Sequence, residues 1–432
     1  MLNVERSTAT MPPLRLIPWF LLGVLFAAAG ETPKTHFDYR REAVAAHQRQ
    51  DYPAMAAACE AALHLRPDSP RYLFNLALAQ TLLKEPDKAT ATLRRLAALG
   101  VSMPVETTPD FAPLQTRPEY AAILARFAAN RAPQGEARTL HELAGTAGIL
   151  EGLAWRKATG DLFLGDVHSR CVWRLEPNGT LSKFSAPPEL LGVFGLVVDE
   201  ARGALWLATT AGPEMSGYTA ADKGRAGLAE LDLATGALRR LLTVPTNGAD
   251  HLLSDLTMAG DGTIYLTDSA APLVWHLPPG ATQLAVFCEL PAATSLQGLA
   301  LVNRGRTLLI SDYANGLLTI DLLDRAVRTL SPPPEVTLLG IDGLLARNRT
   351  IVAVQNGINP QRLVRFTLSP DSRTISEFTV LAANLPGMDD LTLPAFIDGQ
   401  PAFISDSGWS KFTGAKEPQP PHTSRIMQLP LP

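Results

Sequence analysis

An all-β six-bladed β-propeller preceded by an N-terminal α-helical domain is the fold the sequence predicts, on three observations. A turn followed by an apolar strand recurs six times in the C-terminal two-thirds, at intervals of about 43 to 59 residues. Ahead of it runs a stretch rich in Ala and Leu at helical spacing. Between the two, Arg131-Ala132-Pro133-Gln134-Gly135 interrupts both patterns and marks a domain boundary.

The N-terminus carries Arg6 and Arg15, the apolar run Leu16 to Ala28, and small residues before Gly30 and Glu31. A charged start, an apolar stretch and an A-x-A site are the layout of a cleaved secretory signal, so residues 1–29 are expected to be a signal peptide. The run is shorter than the roughly 20 residues of a bilayer span. No later segment is long and apolar enough to span one, so the protein is expected to be exported to the periplasm or the cell exterior without a membrane span.

Residues 36–131 are assigned to the helical domain. Breaks at Pro53, Pro67-Asp68-Ser69-Pro70 and Glu85-Pro86-Asp87 delimit about four helices up to Gly100, and Pro118 to Arg131 adds one more. The segment from Asp51 to Asp68 resembles the second helix of a tetratricopeptide repeat. Arg71 to Leu83 followed by Asp87 to Leu99 resembles a further pair, and the break at Asp51-Tyr52 recurs at Glu85-Pro86 with that family's 34-residue period. Two repeats are few for a continuous core, so packing on the propeller is expected. The resemblance also implies a protein partner for the helical surface.

Residues 137–432 are assigned to the propeller. Its six units start at Gly160-Asp161, Gly203-Ala204, Gly262-Thr263, Arg306-Thr307, Arg349-Thr350 and Gln400-Pro401. Such a period, with several strands per unit, signals blades that bury their faces against one another. Asp166, Asp268, Asp312 and Asp406 stand six residues into four of the units, where a carboxylate can accept N–H bonds from a turn. A strand from Arg138 to Leu143 beside Ser424 to Leu429 is expected to close the ring.

Both charge signs are spread along the chain and the net charge is −4, which excludes the concentrated basic face that nucleic acid needs. Cys59, Cys171 and Cys288 are too widely spaced for a zinc site and are expected to be buried apolar residues. Trp173, Trp206 and Trp275 are expected between sheets, and His168 in a loop. No G-x-S-x-G is present to support a serine-hydrolase triad.

The first strand of each unit delivers its leading residues to the axial channel: Glu151, Phe194, Ser254-Asp255, Gln297, Asp342 and Asp389-Asp390. Several carboxylates and an amide converging there need a cation, because like charges raise one another's pKa. Oxygen-only ligands point to a divalent metal such as Ca²⁺, Mg²⁺ or Mn²⁺, with Zn²⁺ as a further choice. Glu151-Gly152-Leu153-Ala154-Trp155, Gln297-Gly298-Leu299-Ala300 and Ile341-Asp342-Gly343-Leu344 resemble motifs of the regucalcin/gluconolactonase (senescence marker protein) family. That resemblance implies metal ligation by Glu151, Gln297 and Asp342 and proton transfer by Asp342. Two positions depart from the family pattern, Gln297 for Asn and Ser254 for Asn.

These features predict a metal-dependent hydrolase of a lactone or related ester. Asp342 or Asp255 would manage the proton, and Ser254, His251 and Trp409 would contact substrate. The competing expectation is a non-catalytic binding or scaffold protein that uses both domains as interaction surfaces.

Overall fold

Helices begin in this chain at a capping side chain, at a proline, or at both. The computed structural model describes residues 33–146, 148–245, 248–412 and 421–430, so the expected signal peptide lies outside the described residues. α1 (His36–Gln48) starts from a capping box between Thr35 and Asp38. α2 (Tyr52–Leu65) starts from Asp51, whose carboxylate accepts the Ala54 N–H. α3 (Pro70–Leu82), α4 (Pro86–Ala98) and α5 (Pro118–Arg131) each open on a proline, where the missing N–H costs nothing. The expected period is present, because α3 begins 34 residues after α1 and α4 begins 34 after α2. Ala46, Ala62, Leu73, Leu93 and Phe127 from all five helices share one core.

The rest is a six-bladed β-propeller of antiparallel sheets. The innermost strands are Leu150–Trp155, Gly192–Asp199, Leu253–Met258, Leu296–Val302, Ile341–Arg347 and Pro394–Ile397, for blades one to six. Six apolar cores lie between the six pairs of adjacent blades. Phe163 and Leu207 belong to that of blades one and two, and Phe403 and Val354 to that of blades five and six. Each sheet therefore buries both faces, which is why the second strands read as continuous apolar runs. Arg138–Thr146 pairs with His422–Gln428 as the outermost strand of blade six, so the ring closes as expected.

Three of the repeated Asp residues tie turns. Asp166 accepts the Ile149 and Ser169 N–H groups, Asp268 those of Leu252, Ala270 and Ala271, and Asp312 that of Thr294. Asp166 and Asp268 also accept the indole N–H of Trp173 and Trp275. Asp406 differs, pairing with Arg425. Two expectations need correction. Cys288 is partly exposed because it lies on the outermost strand of blade three, Ala285–Glu289, one face of which meets solvent. Trp173 is only half-buried, with the Lys183 ammonium 5.4 Å from its ring centre.

The helical module rests on blades four and five. Asp68 accepts the Leu338 N–H at 3.1 Å, and Arg66 donates to the side-chain oxygen Oδ1 of Asn315 at 2.7 Å. Arg362, almost fully buried, reaches from blade five to the carbonyls of Leu99 (3.4 Å) and Gly100 (3.2 Å).

Candidate functional site

A β-bulge repeated around the ring builds the site. On the innermost strand of each of the first five blades, three residues advance against two on the neighbouring strand, as between Leu150↔Asp166 and Leu153↔Leu164. The same shift falls between Val193/Leu196, Leu253/Leu256, Leu296/Leu299 and Ile341/Leu344. A bulge of this kind re-aims one side chain. Here that residue is Glu151, Phe194, Ser254, Gln297 or Asp342, and all five line one cavity of about 570 Å³ at one mouth of the channel. The next residue is Gly in four of the five. A Cβ on Gly152 would stand 2.1 Å from the Phe194 carbonyl oxygen, and one on Gly298 2.3 Å from that of Asp342, so neighbouring blades meet backbone to backbone only without a side chain there. Asp255 takes this place in blade three, with its carboxylate accepting the Leu256 N–H (2.8 Å) and the Leu299 N–H (3.4 Å).

The cavity is acidic. Glu151, Asp342 and Asp390 line it, and among the described residues no Lys, Arg or His does. Glu151 is buried, and its carboxyl is pushed well above the ordinary range, first by burial and then by the nearby charge of Asp342, against a bond from the Trp409 indole N–H. Burial raises Asp342 to about 6, opposed by the Asn356 amide, which donates to Oδ2 at 2.7 Å. Asn356 is oriented in turn by the Tyr313 hydroxyl, which donates to Oδ1 at 2.9 Å, and by the Leu391 carbonyl, to which Nδ2 donates at 2.8 Å. Asp390, with φ +50°, accepts the N–H groups of Gly408 (3.1 Å) and Ser410 (3.0 Å).

Of the residues singled out from sequence, Glu151, Ser254, Gln297, Asp342 and Trp409 meet in this cavity. Gln297 donates from Nε2 to the Ser295 hydroxyl at 3.0 Å. The Ser254 hydroxyl is engaged internally, 2.9 Å from that of Ser269 and 3.2 Å from the Leu296 carbonyl oxygen. Two expected members lie elsewhere. His251 is buried behind the wall, its Nδ1 2.6 Å from the Asp268 carboxylate and its ring edge-on to Trp275, so it does not line the cavity. Asp255 faces the cavity at the opposite mouth, beside Leu299 and Leu344, because it is one residue further along the bulge; burial raises it to about 7.

Sequence reasoning missed Tyr313, Asn356 and Ser269. All three follow directly on a blade's second strand, one residue after the repeated Asp position, and that offset was the available signal.

No family model matches the chain, and no curated protein does. Solved structures with a similar architecture include a gluconolactonase from Xanthomonas campestris, 19% identical over 71% of this chain and 93% of that one, with a TM-score of 0.47. A PQQ-bound aldose sugar dehydrogenase from Streptomyces coelicolor is 12% identical over 69% of this chain and 100% of its own, with a TM-score of 0.48. A virginiamycin B lyase from Staphylococcus aureus is 11% identical over 68% and 99%, with a TM-score of 0.46. Structural neighbours of the chain thus include gluconolactonases and other propeller enzymes, all at low sequence identity, and activity has to be argued from the cavity itself.

Proposed function

We propose that the chain is an exported hydrolase of a lactone or related carboxylic ester, acting with a divalent cation in the acidic cavity. The observation that supports it is the meeting of buried Glu151 and Asp342, both raised by burial and Glu151 also by the charge of Asp342, in a cavity that no basic side chain lines among the described residues. Two carboxylates in that state suit a hard cation. Among the described residues, no three His, Cys, Asp and Glu side chains are grouped to hold a metal, so an amide oxygen is needed beside Glu151 and Asp342. Gln297 fits, because its Nε2 bonds Ser295 and its Oε1 remains to ligate. Such a cation, Ca²⁺, Mg²⁺, Mn²⁺ or Zn²⁺, polarises a bound carbonyl and acidifies water.

The chain's own residues supply orientation and proton transfer. Trp409 holds Glu151 and Asn356 holds Asp342, so neither carboxylate has to be ordered when substrate arrives. Asp342, held by Asn356 at the cavity mouth, is placed to take the proton of the attacking water and return it to the leaving alkoxide. Asp255, at the other mouth, has no part in this step.

The decisive experiment compares the divalent-metal content of purified protein with that of Glu151→Ala and Asp342→Ala, alongside turnover of a broad lactone and ester panel. Stoichiometric metal in the wild type alone, with turnover lost in both variants, is expected. Equal metal content in all three proteins, or no turnover with any of the four ions, refutes the proposal. The internal engagement of the Ser254 hydroxyl favours a second reading, a site that binds a ligand without turning it over. Bound metal with no hydrolysis across the panel would select it.

A further inference from the structure

The helical module forms a second cavity of about 500 Å³ against the propeller, and this cavity shares two lining residues, Tyr313 and Asn356, with the acidic one. Their hydrogen bond, Tyr313 hydroxyl to Asn356 Oδ1, is therefore a partition between neighbouring chambers. The chambers have opposite charge. Arg40, Arg66 and Arg71 line the second, from α1, the end of α2 and the start of α3, and among the described residues no carboxylate lines it. Arg66 is held by the Asn315 side chain. Arg40 and Arg71 are exposed, and among the described residues neither is engaged in an ion pair or a side-chain hydrogen bond. Phe37, Met103, Leu339 and Ile358 supply apolar wall beside these guanidiniums, together with the polar side chains of His36, Ser102 and Asn359.

We propose that the two chambers are halves of one elongated site, and that the helical module contributes the end that recognises an anionic group. The ligand class is an ester or lactone joined by an apolar arm to a terminal carboxylate or phosphate. Its acyl end occupies the cavity of Glu151 and Asp342, its arm crosses Tyr313, and its anion meets Arg40 and Arg71, whose planar guanidiniums suit either oxyanion. The charge pattern orients the ligand, because an anion is drawn to the chamber that three guanidiniums line. The identity of the acyl end rests on the hydrolase reading; the anion end does not.

Calorimetric titration of the full chain with monomethyl suberate and dimethyl suberate isolates the charge, since the two share an ester and an apolar arm and differ in one terminus. The monoanion is expected to bind about tenfold more tightly in the wild type. That preference should fall to near unity in the double variant Arg40→Gln, Arg71→Gln and persist in Glu151→Gln. Octyl phosphate separates the two oxyanions: tighter binding than monomethyl suberate assigns a phosphate end, weaker binding a carboxylate. Both arginines are exposed, so an unchanged melting temperature is expected and checks the fold. Equal affinity for the two suberates in the wild type, or a preference that survives in the double variant, overturns the inference. An arginine-dependent preference in a protein that hydrolyses nothing would sustain the inference and remove the hydrolase reading. Turnover blind to terminal charge would do the reverse.

Discussion

Replacing Asp342 with Asn asks whether the acidic cavity is strained when no cation neutralises it. Asp342 is 8% exposed as a residue, and burial moves its carboxyl from the ordinary 3.8 to about 6. A carboxyl raised in the folded state favours folding while it is protonated. This contribution is complete below about pH 4 and is lost as the pH rises through about 6. A rise of roughly two units at 1.36 kcal/mol each makes the cation-free protein about 3 kcal/mol less stable at pH 8 than a neutral side chain would leave it. Unfolding entropy of about 2.1 cal/mol/K per residue, over a propeller of about 300 residues, is about 0.6 kcal/mol/K. Asp342→Asn is therefore expected to raise the melting temperature of EDTA-dialysed protein at pH 8 by about 4–5 °C and to leave it unchanged near pH 4. Scanning calorimetry at the two pH values, with and without millimolar Ca²⁺, measures this. The ion should narrow the gap by stabilising the wild type alone. A variant that melts below the wild type at pH 8, or one that gains equally at both pH values, would show that Asp342 is not held against its charge.

Trp409→Phe removes the indole donor that favours the ionised form of Glu151. Glu151 should then keep its proton to higher pH, so the pH at which Ca²⁺ binding becomes half-maximal should rise; a titration series unchanged in pH dependence would count against it. Gly298→Ala places a methyl group 2.3 Å from the Asp342 carbonyl oxygen and 2.9 Å from Gly343 Cα. Backbone cannot swing away as a side chain can, so a loss of about 1–3 kcal/mol in urea unfolding is expected, together with weaker cation binding. Arg362→Ala strands the Gln355 Oε1 acceptor (2.7 Å) and the Leu99 and Gly100 carbonyls. A loss of about 3 kcal/mol, with faster proteolysis between the helical module and blade five, is the expected readout.

The propeller was legible because each blade repeats one local pattern, a turn and an apolar strand, and repetition survives weak individual motifs. The mouth residues Glu151, Gln297 and Asp342 were legible for the same reason, as each occupies the same step of the strand. Asp255 shows where that reasoning stops. In the sequence it stands beside Ser254, but consecutive residues of a bulged strand face different parts of the channel, and no spacing reports which one turns to which mouth. His251 failed for a related reason, since its partner is the Asp268 of its own blade rather than a ligand. The chamber under the helical module was illegible altogether, because it is made by residues such as Arg40 and Leu339, about 300 positions apart, meeting across a domain contact.

The pairing of Arg138–Thr146 with His422–Gln428 sets an order on folding. The strand that seals blade six emerges ahead of the rest of the ring, while its partner follows the other five blades. Joining His141 to Ile426 closes a chain of about 285 residues at an entropic cost of about 5 kcal/mol, which is recovered only when both flanking blades exist to pack against it. Until then residues 138–146 present an unpaired edge open to other chains. A circular permutant opened between blades two and three would leave both of those blades whole, since each is built from consecutive strands, and would let blade six close across the helical module rather than across the ring. It would retain every contact of the mature ring while differing in its tendency to aggregate during refolding.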